Sequence, residues 1–199
     1  MQNEEIKRYA TLNTLATSDG IVLFGGTSDK EIPCSELREA FTIKNAIYNR
    51  SLTDLSVFQA VDVFDACIYG LDPETVLLHI GAADIRIFAE NPQRFDEAYR
   101  DLIRHIRSQC PKCRIAVVSF DEEELHFEKV GELNKHLRYI ADSERCEFGD
   151  IAKKRVWNPG STRDLSSFIY SIGFASPLKN SRPIYDLTKI LFGYKTCLE

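Results

Sequence analysis

The stretch from Ile21 to Asp29 constrains the fold of this sequence more than any other. Its first four residues, Ile21–Phe24, are apolar and lead directly into the glycine pair Gly25-Gly26. An apolar run that ends at glycine predicts a buried strand with an abrupt stop. Pro33 lies a few residues further on, and proline favours the first turn of a helix. A strand, a glycine loop and a helix in this order place backbone N–H groups and short hydroxyls at the carboxyl edge of a parallel sheet.

Strand patterns and helix patterns alternate along the rest of the chain. The predicted strands are Ile21–Phe24, Ala46–Tyr48, Thr75–Ile80, Arg114–Phe120 and Cys146–Ile151. Helical periodicity is found within residues 4–18, 33–41, 56–68, 91–106, 130–140 and 181–194. Ser56 and Gln59 have the spacing of a capping box, and Asn91-Pro92 is typical of a helix start. The alternation predicts right-handed crossovers and a parallel sheet.

We therefore predict a three-layer, flavodoxin-like α/β fold with a five-stranded parallel sheet in the order 2-1-3-4-5. Residues 1–199 are expected to form one domain, in which residues 1–19 are a helical N-terminal extension. Ligands of such sheets bind outside the carboxyl ends of the strands, near the switch point between strands one and three. The loops at that edge are 25–32, 49–56, 81–91, 121–127 and 152–182.

The composition argues against several classes of protein. The 199 residues are 44% hydrophobic, which is ample for one core, and the net charge is −5. Lysine and arginine form no basic block, so nucleic acid is not an expected partner. No apolar run approaches the roughly 20 residues that span a bilayer, and the N-terminus has no apolar signal segment. We expect a cytoplasmic protein without a membrane contact, and the sequence does not indicate its oligomeric state.

Six cysteines are distributed along the chain, and free thiols are expected in an intracellular protein of this length. Cys110 and Cys113 form a CxxC motif, which can bind zinc or perform redox chemistry. Because no second CxxC and no nearby histidine pair completes four ligands, the motif is interpreted as a turn. No metal or other cofactor is expected. The acidic segment Asp121–Glu124 could hold a divalent cation, although adjacent carboxylates usually form a solvated loop.

Three of the loops carry, in order, segments that resemble the sequence blocks of SGNH (GDSL-type) hydrolases. These segments are Gly25-Gly26-Thr27, residues 48–54 and Gly81–Asp84. They are similar to the family's Gly-Asp-Ser, Asn-Arg-Gly and Gly-x-Asn-Asp blocks, and the match covers about residues 20–150. The Tyr-Asn-Arg-Ser tetrapeptide at residues 48–51 is similar to that of a divergent, Firmicutes-type group. The resemblance implies an SGNH-hydrolase-like fold and ester-hydrolysis chemistry, as in esterases and deacetylases.

The resemblance also implies which residues would carry out the chemistry, and these positions are changed. An SGNH ester hydrolase uses a serine nucleophile, a histidine base and an aspartate that orients the histidine. Its oxyanion donors are the nucleophile's N–H, a glycine N–H and an asparagine amide. The replacements, in order, are Thr27 for serine with Ser28 one step on, Asp54 for glycine, and Ala83 for asparagine. A threonine methyl crowds the tetrahedral intermediate, a carboxylate repels an oxyanion, and alanine has no donor.

The family's last block, Asp-x-x-His, is expected near residue 180, where the nearest equivalent is the segment 179–183 with Arg182. No histidine follows His136 in the sequence, so a base would have to come from elsewhere. His126 is the best candidate because it follows strand four. His79 is interpreted as a hydrogen-bonded core histidine, whereas the histidines on predicted helices are expected to face water.

Three functions remain open. The preferred one is a hydrolase-like protein that has lost ester hydrolysis and binds a saccharide, an anion or a protein partner at the former active-site edge. The second is an atypical esterase or deacetylase in which Thr27 or Ser28 attacks and His126 is the base. The third is an anion-binding module that uses the backbone amides of residues 25–28. The candidate binding residues are Gly26, Asn49, Arg50, Asp54, Ala83, Asp84 and Arg182.

Several of these residues also have structural interpretations. Thr27 could pack the first turn and cap a helix, and Asp84 could fasten its own loop through backbone N–H groups. Asn49 and Arg50 could fix the second loop near the mouth of a pocket. Arg50 could instead receive an anionic ligand as a bidentate fork.

Overall fold

Five parallel strands form one sheet in the order β2-β1-β3-β4-β5. The structure is a computed structural model that describes residues 2–121, 127–151, 187–188 and 191–192. The strands are β1 (Ile21–Gly25), β2 (Ile47–Asn49), β3 (Thr75–His79), β4 (Arg114–Val118) and β5 (Glu147–Gly149). Every neighbouring pair runs parallel. The predicted flavodoxin-like sheet and its strand order are confirmed.

Helices connect the strands. The helices of at least six residues within residues 2–121 and 127–151 are α1 (Gln2–Asn13), α2 (Cys34–Ala40), α3 (Ala60–Cys67), α4 (Ile85–Glu90), α5 (Pro92–Gln109) and α6 (Val130–Ser143). Residues 187, 188, 191 and 192 are also helical and belong to the predicted closing helix, and Leu187 and Leu191 are buried. The rest of that helix, including Arg182, lies outside the described residues, and so does His126.

Successive strand residues face opposite sides of the sheet, which produces two apolar layers. Val22 and Phe24 of β1 belong to the layer that contains the buried side chains of α3, α5 and α6. Ile21 and Leu23 belong to the other layer, together with Leu37 of α2 and the closing-helix leucines. Because both faces are covered, the inner strands contain continuous apolar runs rather than an alternating pattern.

The register aligns the carboxyl ends of β1 and β3, since Gly25 pairs with His79. The backbone N–H of Leu52, just beyond β2, donates to the Gly25 carbonyl oxygen at 3.1 Å. These contacts bring the turns after β1, β2 and β3 to the same edge of the sheet, where ligands of such folds bind.

The helix starts show how local signals compete with tertiary contacts. Asn91 caps α5 as predicted, because its side chain accepts the Arg94 N–H at 3.1 Å. The predicted capping box at Ser56 is wrong. Ser56 Oγ donates to Asp84 Oδ1 at 2.5 Å, and α3 begins only at Ala60 without a side-chain cap. The hydroxyl still accepts a local N–H, that of Phe58 at 3.2 Å, but its proton is donated to a distant carboxylate.

The CxxC segment forms a turn, in which the Cys113 N–H donates to the Cys110 carbonyl oxygen at 3.0 Å. The free thiols in the described part of the chain are Cys34, Cys67, Cys110, Cys113 and Cys146. Among the described residues, no group of three or more His, Cys, Asp or Glu side chains could hold a metal ion. In that same part of the chain, no helix combines the length and the apolar character needed to cross a membrane.

Candidate functional site

Asn49, the last residue of β2, joins the turns after β1 and β2. Its Nδ2 donates to the Asp29 carbonyl oxygen at 2.7 Å. Its Oδ1 accepts the backbone N–H of Ser51 at 3.0 Å. An amide side chain offers both a donor and an acceptor, so one residue fixes the first turn against the second. This is the loop-fixing role that the sequence suggested for Asn49, and both polar atoms of its side chain take part in it.

Thr27 and Asp54 bind each other across the mouth of the site. Thr27 Oγ1 donates to Asp54 Oδ1 at 3.2 Å and accepts the Asp54 backbone N–H at 2.9 Å. Both residues are exposed. Asp54 has a φ of 51°, in the left-handed region that glycine favours and that aspartate tolerates. The backbone at this position therefore follows a glycine-like path, although a carboxylate is attached to it.

Asp29 is a functional residue that the sequence reasoning missed. It is fully buried, and its carboxylate accepts the Gly26 N–H at 3.0 Å. The two oxygens of the carboxylate also lie 3.0 and 2.9 Å from His79 Nδ1. A carboxylate in this position requires a donor, so we assign the imidazole proton to Nδ1. The available signal was an aspartate in the short turn after a buried strand, where local N–H groups need acceptors.

His79 lies in an apolar environment on its other side. Its ring stacks on Phe120 at 4.4 Å and meets the edge of Phe192 at 4.7 Å between ring centroids. Its Nε2 is buried, and no described residue forms a hydrogen bond with it. His79 is thus the hydrogen-bonded core histidine that the sequence predicts, and it supports the turn after β1 from below.

Asp84 fastens the third turn to the second. The carboxylate is 1% exposed and accepts hydrogen bonds from Ser56 Oγ at 2.5 Å and from the Val57 N–H at 2.8 Å. Burial raises the pKa of Asp84, and the two hydrogen bonds oppose that shift because they stabilise the charged form. Ala83, its neighbour, is exposed and presents only a methyl group.

Comparison with known proteins identifies the fold. No family model and no curated protein matches this sequence. A structure from Streptococcus pneumonia, provisionally named a platelet activating factor, matches with a TM-score of 0.66 and 18% identity over 97% of this chain and 92% of that one. A GDSL-like lipase from Bacteroides thetaiotaomicron VPI-5482 matches with a TM-score of 0.57 and 19% identity over 73% and 77% of the two chains. The chain has an SGNH-hydrolase-like fold.

An acetylxylan esterase from Geobacillus stearothermophilus shares the SGNH-hydrolase-like fold, with a TM-score of 0.52 and 14% identity over 67% of this chain and 77% of that one. Two solved variants of that esterase are described as catalytic mutants, and they replace a serine and a histidine. Identities this low establish the fold alone, so the chemistry of this chain has to be argued from its own side chains.

Each described histidine of this SGNH-hydrolase-like fold binds a carboxylate rather than Thr27 or Ser28. His79 Nδ1 binds Asp29, His105 Nε2 lies 2.6 Å from Asp65, and His136 Nδ1 lies 3.0 Å from Asp96. The last two are half-buried rather than facing water freely, which corrects the expectation for them. Within the described residues, no imidazole accepts a hydrogen bond from either candidate nucleophile. His126, the base named from the sequence, lies outside those residues.

Arg50 turns away from the Thr27–Asp54 pair and towards α1. Its Nε and Nη2 donate to Asn13 Oδ1 at 3.0 and 2.7 Å, and its Nη1 donates to the Asn49 carbonyl oxygen at 2.9 Å. The side chain is buried, and burial lowers the pKa of the guanidinium. Arg50 therefore lies beside the candidate site without pointing into it, and Arg182 lies outside the described residues.

Proposed function

We propose that this protein binds a neutral, hydroxyl-rich ligand such as a saccharide at the carboxyl edge of its sheet, and that it does not hydrolyse esters. The observation that carries the proposal is the pair of hydrogen bonds between Thr27 and Asp54. This pair occupies both the hydroxyl that would attack an ester and the amide N–H that would stabilise the resulting oxyanion.

The Thr27–Asp54 pair opposes acyl transfer in two ways. The Asp54 carboxylate places negative charge where an oxyanion would have to form. The Asp54 N–H, which corresponds to a glycine donor in the sequence resemblance, is bound to Thr27 Oγ1. Loss of one oxyanion donor typically lowers kcat by about a hundredfold or more, and Ala83 supplies no replacement.

The charges around the first turn favour a neutral ligand over an anion. The Gly26 N–H, which an anion-binding turn would use, already donates to the buried Asp29 carboxylate. Asp54 adds a second carboxylate at the exposed mouth. Exposed Ser28 offers a hydroxyl, and the Asp54 carboxylate keeps acceptor positions besides the one that Thr27 uses; both kinds of group bind sugar hydroxyls well. The fold is shared with an acetylxylan esterase, whose name denotes an acetylated saccharide as substrate.

The decisive experiment combines hydrolysis and binding on the purified full chain. We expect hydrolysis of p-nitrophenyl acetate at the buffer rate, both for the wild type and for Thr27→Ala and Ser28→Ala. Turnover that disappears in either variant would establish the atypical esterase and overturn the proposal. The physical reason for the expected result is the missing oxyanion site.

Binding is measured in the same samples by titration with xylo-oligosaccharides, with and without acetyl groups, monitored by two-dimensional NMR. We expect Asp54→Asn to weaken binding by about tenfold, because a charge-assisted acceptor becomes a neutral one. Asp142→Asn is the matched control, since Asp142 is an exposed aspartate near the far end of α6. Equal affinities for the two variants, or no binding at millimolar saccharide, would contradict the proposal.

A further inference from the structure

A groove of about 520 Å³ runs beside the edge strand β2, between α1 and the segment 30–36. Its aliphatic wall consists of Leu12, Leu15, Ala16, Ile32 and Pro33. Leu12 of α1 and Leu15, two residues beyond its end, are 42% and 83% exposed, so this part of the apolar wall is uncovered. A volume of this size lies within the range of small-molecule sites.

Arg50 lines the groove, and its guanidinium lies against the rings of Tyr9 and Tyr48, which line it too. The Arg50 side chain carries five N–H donors. Its three hydrogen bonds, to Asn13 Oδ1 and the Asn49 carbonyl oxygen, use one N–H on each of its three nitrogens. Two donors therefore remain, one on each terminal nitrogen.

The Arg50 charge is buried, and the described part of the chain supplies it with no counterion. Arg50 is 5% exposed, and no carboxylate of the described residues forms an ion pair with it. The rings of Tyr9 and Tyr48 lie 5.1 and 5.4 Å from its guanidinium carbon. The neighbouring thiols are neutral, since burial raises the pKa of Cys34 to about 12 and of Cys67 to about 11. Burying an unpaired charge is unfavourable, and two aromatic rings offset only part of that penalty.

We propose that this groove binds a small organic monoanion with an apolar chain, whose carboxylate accepts the two remaining N–H donors of Arg50. A carboxylate has two oxygens in one plane, which suits a guanidinium that presents paired donors. The aliphatic side chains of α1 and of the segment 30–36 then cover the chain of the ligand. This site is separate from the Thr27–Asp54 pair and does not rest on the proposed saccharide function.

Two other charged residues, Lys30 and Glu36, line the groove. Lys30 forms an ion pair with Glu5 and a hydrogen bond with Thr53 Oγ1, so its charge is already compensated. Glu36 is exposed and forms no ion pair with Arg50. Its carboxylate opposes the binding of an anion, which makes it a useful position for a test.

The test is calorimetric titration of the full chain with sodium octanoate. Octanol, which lacks the charge, and inorganic phosphate, which lacks the apolar chain, are the control probes. We expect octanoate to bind at least tenfold more tightly than either. Leu15→Asp should weaken octanoate binding by tenfold or more, because it adds negative charge and removes apolar surface at an exposed position. Glu36→Gln should strengthen binding severalfold, and Tyr139→Asp, at an exposed position on α6, is the matched control.

Arg50→Lys keeps the charge but removes the fork, and it should weaken octanoate binding about tenfold. If that variant does not fold, the octanoate affinities of Leu15→Asp and Glu36→Gln still test the proposal. The proposal is overturned if octanol binds as tightly as octanoate, if octanoate does not bind at millimolar concentration, or if Leu15→Asp and Tyr139→Asp have the same affinity. Thr27→Ala should bind octanoate with the affinity of the wild type, so octanoate binding is tested independently of saccharide binding.

Discussion

The Asp29 carboxylate occupies the space in which a side chain at position 25 would lie. A Cβ atom built on Gly25 would be 2.0 Å from Asp29 Oδ2, whereas a Cβ on Gly26 would meet nothing within 4 Å. The carboxylate cannot simply move, since it is held by the Gly26 N–H and by His79. The surrounding atoms therefore leave no space for a side chain at position 25, whereas position 26 has space for one.

Gly25→Ala is expected to lower the free energy of unfolding by roughly 2–3 kcal/mol, because the methyl group displaces Asp29 from its partners. Gly26→Ala is the matched control and should change it by less than about 1 kcal/mol, since its φ of −95° is open to any residue. Urea unfolding followed by circular dichroism compares the two variants. Similar midpoints for both would show that the Asp29 carboxylate does not restrict position 25.

At the scale of elements, α1 differs from the other helices because it has no buried residue. Ile6 and Tyr9 pack against the core while remaining partly exposed, and polar contacts attach the helix further. Tyr9 Oη donates to the Ser51 carbonyl oxygen at 2.7 Å, and Asn13 Nδ2 donates to the Cys67 carbonyl oxygen at 2.8 Å. Asn13 also accepts two hydrogen bonds from Arg50. Near the amino end, Glu5 accepts the Thr53 N–H at 3.2 Å and pairs with Lys30, so polar side chains along the whole helix fix its position.

Asn13→Ala is expected to cost roughly 2 kcal/mol of stability, because a buried guanidinium loses its acceptor and a backbone carbonyl loses a donor. Thr11→Ala serves as the control on the same helix, since Thr11 is exposed and bonds only within α1. Chemical denaturation measures both values. A cost for Asn13→Ala no larger than that for Thr11→Ala would contradict the role assigned to the Asn13 side chain.

The elements themselves were largely predictable from the sequence. Strands such as Ile21–Gly25 are continuous apolar runs that end at glycine, and that signal is local. The error at Ser56 arose because its partner, Asp84, is 28 residues away and invisible to a local pattern. The candidate site was predictable only as a position at the sheet edge. Asp29 was missed because its imidazole partner, His79, is 50 residues away, and only the strand register brings the two together.

Across the whole molecule, the described thiols report on opening of the fold. They lie in or beside α2, α3, β4 and β5, so they sample both ends of the sheet. Burial raises the pKa of every one of them, to about 12 for Cys34 and Cys113 and to about 11 for Cys67 and Cys146. Because the thiolate is the reactive form, a raised pKa makes these groups slow nucleophiles near neutral pH.

A Cys197→Ser variant, which removes the thiol outside the described residues, is expected to react with Ellman's reagent at pH 8 about a hundredfold more slowly than an unfolded control in urea. The rate should rise as pH increases towards the raised pKa values, because the thiolate fraction grows. Absorbance at 412 nm follows the reaction. Release of all five equivalents within seconds from the native variant would contradict the burial of these groups.

The positive φ of Asp54 has a practical consequence for protein engineering. Main-chain geometry is usually the hardest part of a catalytic loop to install, and here the tight bend is already made. Asp54→Gly would remove a side chain from a conformation that glycine adopts without strain, so the scaffold itself would not need to be rebuilt. A designer seeking acyl transfer on this framework could therefore concentrate on exchanging side chains, beginning with the one that now covers the amide.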